Sequence, residues 1–209
     1  MMKSIGRIIK IRCCKSIILT LLFLGVGNLS AQNTYKLGAG KEIEVQVSGT
    51  SNVHDWTMTS TVADSQGTFK INGKEEITDL SSLAFSIPAK SLKSGKSLMD
   101  SRTYKSLKAD EFPTISYQLK AVEIAMVQSN KFRIHTKGSV TIAGKTQPIT
   151  MVVNSVVNAD KSITCSGTTL LKLTDFGIDP PSFMLGAMKV GNELTVKFDL
   201  TYNKILPAK

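Results

Sequence analysis

Cysteine is scarce in this 209-residue chain, and its placement makes it scarcer. Cys13 and Cys14 fall within the first 31 residues, which leaves Cys165 alone in the remainder. One cysteine excludes an internal disulfide. The 178 residues after Ala31 must therefore fold on a hydrophobic core, and they are enough for one. Histidine is nearly absent. His54 and His135 stand about eighty residues apart, whereas a zinc site draws on three or four ligands, often closely spaced. No G-x-S-x-G elbow and no G-x-G-x-x-G loop occurs, which argues against a serine hydrolase of that type and against a dinucleotide fold. Gly138 to Thr146 (GSVTIAGKT) looks like a phosphate loop but has five residues before Gly-Lys-Thr, and it lies between strand patterns. Asp175-Phe176-Gly177 matches a kinase tripeptide without any other kinase element. No repeat of solenoid length is present. With 42% hydrophobic and 20% charged residues the chain is not of disordered type.

Acidic residues are missing from the first 31 positions, where Lys3, Arg7, Lys10, Arg12 and Lys15 precede an apolar run from Ile17 to Val26. Leu29-Ser30-Ala31 then supplies small residues before Gln32. This is the pattern of a secretory signal peptide cleaved after Ala31. The run is shorter than the roughly 20 residues of a membrane span. Cys13 and Cys14 precede it, whereas a lipoprotein cysteine follows, so no lipid anchor is read. The expected division is a leader at 1–31 and one domain at 32–209. The formal charge of +10 then drops to +5, since 21 Lys and Arg face 16 Asp and Glu after residue 31.

Beyond the leader the dominant signal is a period of two. Ile43, Val45 and Val47 alternate with Glu42, Glu44 and Gln46, and Phe132 and Ile134 with Lys131, Arg133 and His135. Leu194, Val196, Phe198, Leu200 and Tyr202 continue it, as do Leu83, Phe85, Ile87 and Ile115, Tyr117, Leu119. One dry and one wet face suits antiparallel sheets. Turn residues separate the runs at Asn72-Gly73, Ser129-Asn130, Ala143-Gly144-Lys145 and Asn158-Ala159-Asp160. Eight strands are expected, near 35–48, 54–71, 76–88, 114–126, 131–143, 146–157, 161–173 and 191–204. Such long consecutive strands favour an up-and-down barrel or an elongated sandwich. Residues 97–108 (SLMDSRTYKSLK) lack that period and read as one short helix across an end, with Ser97 or Asp100 as its cap.

Lys90, Lys93, Lys96, Arg102, Lys105 and Lys108 gather in and before that helix. Nucleic-acid binding would interleave aromatics with such charges, and only Tyr104 lies among them. The cluster reads as a solvated face or as a rim for an anionic head group. The apolar segment Ser182 to Met188 (SFMLGAM) is unlike a solvated loop and reads as the lip or closure of one end. An outer-membrane barrel would need apolar outward faces, yet these faces carry Glu42, Glu44, Lys131, Arg133, Lys197 and Asp199.

Several motifs in order carry a resemblance. Val47-Ser48-Gly49-Thr50-Ser51 leads to His54-Asp55-Trp56, followed by Gly67-Thr68-Phe69. Then come Phe85 to Leu92 (FSIPAKSL), Met99-Asp100-Ser101-Arg102, Leu107 to Tyr117 (LKADEFPTISY), the Gly138–Thr146 hairpin, and Val190-Gly191-Asn192-Glu193-Leu194 after Asp175-Phe176-Gly177. Over residues 35–204 the chain resembles the YceI-like family, exported polyisoprenoid-binding proteins with a lipocalin-like barrel. The resemblance implies an all-β, antiparallel, roughly eight-stranded elongated barrel with one short helix. It implies a periplasmic or secreted protein that holds a long apolar chain, such as an isoprenoid quinone, an isoprenyl phosphate or a fatty amide. It implies no catalytic residues, and neither a metal nor a catalytic cofactor is expected. His54-Asp55-Trp56 and the Phe183–Met188 loop depart from the family's usual pattern.

The expected wall of the lumen is Trp56, Met58, Phe69, Phe85, Ile87, Phe112, Tyr117, Phe132, Ile134, Met151, Phe176, Phe183, Met184, Met188 and Phe198. Asp100, Arg102 and Lys105 are expected to meet a polar head at the mouth. The expected partner is a lipid-like small molecule, with no nucleic acid and no membrane span after cleavage, and a monomer and a dimer both remain open. The competing expectation is a filled barrel serving as a structural or stress-related interaction protein. An enzyme acting on a bound lipid would have His54 as its acid–base candidate.

Overall fold

Strand β7 (Lys131–Ile142) shows how the alternation is used: every second residue from Phe132 to Ile142 is buried, while Lys131, Arg133, His135 and Lys137 face water. The computed structural model describes residues 32–38 and 43–205, so the leader expected at 1–31, with Cys13 and Cys14, lies outside the described residues. Before β7 come β1 (Gln32–Leu37), β2 (Ile43–Ser51), β3 (Trp56–Ser60), β4 (Asp64–Ile71), β5 (Ile77–Pro88), helix α1 (Ser97–Ser106) and β6 (Thr114–Gln128). After it come β8 (Lys145–Val157), β9 (Ile163–Lys172), the two-residue β10 (Ser182–Phe183) and β11 (Met188–Lys204).

Eight of these strands close a ring in the order β1-β4-β5-β6-β7-β8-β9-β11, and β11 returns to β1. The pairings around it are antiparallel, and closure sets Tyr35 opposite Lys204 and Leu37 opposite Tyr202. The two-residue link between β7 and β8 has positive φ at both Ala143 (48°) and Gly144 (77°). Such a turn matches the twist of the strands it joins.

The first two expected strands are each broken in two. The 35–48 run divides into β1 and β2, which lie on the same side of the 17-residue β11. The 54–71 run divides at Ser60, whose fully buried hydroxyl meets the Val62 backbone and the Ser91 hydroxyl (2.7 Å). That local bonding competes with the ladder and turns the chain. β3 then pairs on its free side with a loop: Thr59 and Lys93 exchange both backbone hydrogen bonds, at 2.8 and 2.9 Å. This holds the segment leading into α1 against the ring. The helix lies at one end, as its missing period of two suggests. Its cap differs from expectation. Lys96 occupies the cap position without a side-chain bond, and Asp100 instead reaches back to Ser94.

The opposite end of the ring is plugged. Phe69 is fully buried, with Tyr35 edge-on at 5.3 Å and Tyr202 tilted at 6.0 Å between ring centroids. Ile77, Phe132, Val157 and Ile163 complete the plug. A polar pair sits inside it. Ser65 donates to the Ala84 carbonyl (2.7 Å), so its remaining lone pair accepts from the Tyr202 hydroxyl (2.9 Å). Burial pushes the Tyr202 hydroxyl far above its usual pKa, with Cys165 adding to the rise and Ser65 opposing it. An unmade bond there costs the full desolvation penalty. Ser65→Ala is therefore expected to lower stability in urea unfolding by about 1–3 kcal/mol, and Tyr202→Phe by less. Equal losses would contradict this assignment of the proton.

Candidate functional site

Inward side chains meet at the plugged end and part toward the other, where a cavity of about 460 Å³ remains. Its walls are almost wholly apolar. β2 contributes Val45 and Val47, β5 Leu83, Phe85 and Ile87, β6 Ile115, Tyr117 and Leu119, and β8 Ile149, Met151 and Val153. The far wall is supplied by Leu194, Val196, Phe198 and Leu200 of β11. Some polar groups on the wall find partners there. The Ser155 hydroxyl and the Cys165 thiol lie 3.3 Å apart, and Thr136 donates to the Met151 carbonyl at 3.4 Å. Burial pushes the Cys165 thiol up to about 11. Burial also raises the Tyr117 phenol, whose hydroxyl is buried without a hydrogen-bond partner among the described residues.

The open end is built from three pieces. One face of α1 lines it with Leu98, Met99, Arg102, Thr103 and Ser106, which recur at helical spacing. Phe183 of β10 and Met188 and Val190 of β11 line a second side, and His54 and Trp56 a third. The Arg102 guanidinium stacks 4.1 Å from the centroid of Phe183, which ties the helix to β10. Trp56 donates from its indole nitrogen to the Thr50 carbonyl (3.1 Å) and lies over Gly49. A Cβ on Gly49 would fall 2.3 Å from that ring, so only glycine admits the indole there.

Of the residues expected on the wall, Trp56, Met58, Phe69, Phe85, Ile87, Tyr117, Ile134, Met151, Phe176, Phe183, Met188 and Phe198 line the cavity. Two are placed elsewhere. Phe132 is on the inward face, as its parity requires, but it lies at the plugged end and fills the core. Phe112 follows a turn with positive φ at Lys108 and packs over Gly144 of the β7–β8 turn. The Met184 side chain lies outside the described residues. Among the three mouth residues, Arg102 lines the cavity. Lys105 is exposed on another face of α1, and Asp100 is buried against the preceding loop. The helix wall residues Leu98, Met99 and Thr103 are not among the expected ones, although their spacing is a signal that could have found them.

Asp100 accepts from the Ser94 hydroxyl (2.6 Å) and backbone N–H (2.8 Å), which hold its carboxyl below the usual range, with Lys93 assisting. Tyr104 in turn raises Lys93, whose ammonium lies 5.1 Å from that ring. A lowered carboxyl pKa contributes stability above the unfolded value and loses it as pH falls through the folded value. The acid limb of thermal stability is therefore expected to flatten below about pH 4 in Asp100→Asn. An unchanged limb would show that Asp100 does not anchor the loop. Cys165 is expected to resist Ellman's reagent at about pH 8 in the native protein and to react once urea unfolds it. Ready reaction in the folded state would mean that the lumen wall opens.

A family model for the YceI-like domain matches residues 36–202. No curated protein matches in sequence. Among solved structures, BcnA of Burkholderia cenocepacia is similar at a TM-score of 0.59 and 20% identity, covering 76% of this chain and 95% of that one. A polyisoprenoid binding domain from Saccharophagus degradans, implicated in plant cell wall breakdown, gives 0.62 and 14%, covering 82% and 98%. The Campylobacter jejuni YCEI protein gives 0.51 and 15%, covering 68% and 82%. With the ring of eight strands, the helix at its open end and the match over most of its length, the chain belongs to the YceI-like domain family.

Proposed function

We propose that this protein is exported and holds a long apolar chain in its lumen, shielding it from water without covalent chemistry. The observation that carries this reading is the cavity of about 460 Å³ with its nearly continuous apolar wall. That volume lies within the range of small-molecule sites, roughly 300–1,000 Å³. Each buried methylene contributes about 0.8 kcal/mol, so ten of them supply roughly 8 kcal/mol before the cost of immobilisation. Micromolar affinity requires about 8 kcal/mol net of that cost, so the chain held must be longer than ten methylenes. The polyisoprenoid binding domain of Saccharophagus degradans supports a lipid of that kind as ligand. An isoprenoid quinone, an isoprenyl phosphate and a fatty amide all fit the chemistry of the wall. The cavity favours this reading over a filled structural barrel, because a filled barrel would pack its inward side chains along the whole axis.

Organic extraction of the natively exported protein, followed by mass spectrometry, tests the proposal. A long-chain lipid near one per protein is the expected result. Phe198→Arg places a charge on the cavity wall and is expected to remove that lipid while circular dichroism stays that of a folded β protein. Full lipid retention by a folded Phe198→Arg variant would count against the lumen as the site.

A further inference from the structure

We propose that the open end docks on an anionic lipid bilayer, so that the ligand passes between membrane and lumen without crossing water. The proposal rests on the carrier reading above. Three apolar side chains project from three separate segments around the mouth. Val53 on the β2–β3 turn is 60% exposed, Leu98 in the first turn of α1 is 62% exposed, and Leu185 between β10 and β11 is fully exposed. They belong to one rim. Asn52 donates to the Ala187 carbonyl (2.9 Å) and accepts from the Lys189 backbone N–H (2.8 Å), which joins the β2–β3 turn to the β10–β11 loop. The Arg102–Phe183 stack joins that loop to α1, one helical turn after Leu98.

Leu185 carries the argument furthest. It adopts φ 55° and ψ 32°, a left-handed conformation in which glycine or asparagine is at ease and leucine is not. It also presents its whole side chain to water. An apolar tip on a tight turn, beside others of its kind, suits insertion into a bilayer interface.

Charge selects the occupant. Between residues 89 and 108 stand Lys90, Lys93, Lys96, Arg102, Lys105 and Lys108 against one acid, Asp100, which is committed to Ser94. Lys90 is paired with Asp110, and Lys189 adds a cation on the far side of the mouth. Asp55, Asp179 and Glu193 are the acids nearby in sequence on the other segments, and Asp110 and Glu111 follow the helix. Apolar tips within a cationic border match an anionic membrane surface, which attracts basic residues within a Debye length.

The test is flotation of the purified protein with vesicles of phosphatidylcholine and phosphatidylglycerol, against vesicles of phosphatidylcholine alone. Val53 and Leu185 do not line the cavity, so Val53→Ser with Leu185→Ser alters the rim and spares the wall. Binding to the anionic vesicles is expected, weakened by salt, and reduced roughly ten-fold or more in the double variant. Lipid content by mass spectrometry is expected to stay unchanged in that variant. No binding to anionic vesicles, or equal binding by the double variant, would overturn the proposal while leaving the carrier reading intact. A dimer in sedimentation that the double variant dissociates would also overturn it, by assigning the rim to a second copy. Vesicle binding by a protein that carries no lipid would support the docking surface and sink the carrier reading instead.

Discussion

Closure of the ring is the constraint on which the rest depends. Once β11 returns to β1, every inward side chain shares one interior, and no strand can shift its register by one residue without turning its dry face to water. A ring of eight strands is close to the size that side chains can fill. Whether it fills is then decided by side-chain volume along the axis. At one end Tyr35, Phe69, Phe132 and Tyr202 supply four aromatic rings and the core is packed. Toward the other end the inward side chains no longer meet, and space remains between them.

The broken strands serve the same division. β1 closes the ring against the end of β11, while β2 runs beside its earlier part and pairs with β3. β3 takes Lys93 as its other neighbour in place of a strand. The ladder is thereby exchanged for a loop where the helix is attached, and α1 faces the lumen with one side. The Asp100–Ser94 bonds and the Tyr104 hydroxyl on the Leu92 carbonyl (2.8 Å) fix the loop to the helix.

Much of this was legible in the sequence because a period of two reports facing directly. Phe85, Tyr117, Ile134 and Phe198 face inward as their alternation requires. Depth along the axis is another matter. Phe132 and Ile134 share a face, yet one belongs to the plug and the other to the cavity wall. Alternation repeats identically along a strand and carries no record of where the lumen ends. Phe112 fails for a different reason, since it follows an irregular turn where no period applies. The break at Ser60 depends on Ser91, thirty-one residues away, and local pattern cannot register such a bond. The helix face was legible in principle, but the lysines and arginine of that segment mask the spacing that marks a wall.

The distribution of polarity along the axis gives the molecule a direction. The plugged end buries a hydroxyl pair among aromatic rings and offers no passage. The open end combines apolar wall residues with Arg102, whose guanidinium lies on Phe183 and borders the cavity. On the carrier reading proposed above, a ligand with an apolar tail and a polar or anionic head is favoured with its tail toward Phe69 and its head toward Arg102. The reverse would take the head out of water into a lumen whose wall is almost wholly apolar, at a cost comparable to the gain from several methylenes. The same end through which the tail must enter is thus the end where the head can stay hydrated, so entry and final orientation require no turning of the ligand inside the lumen.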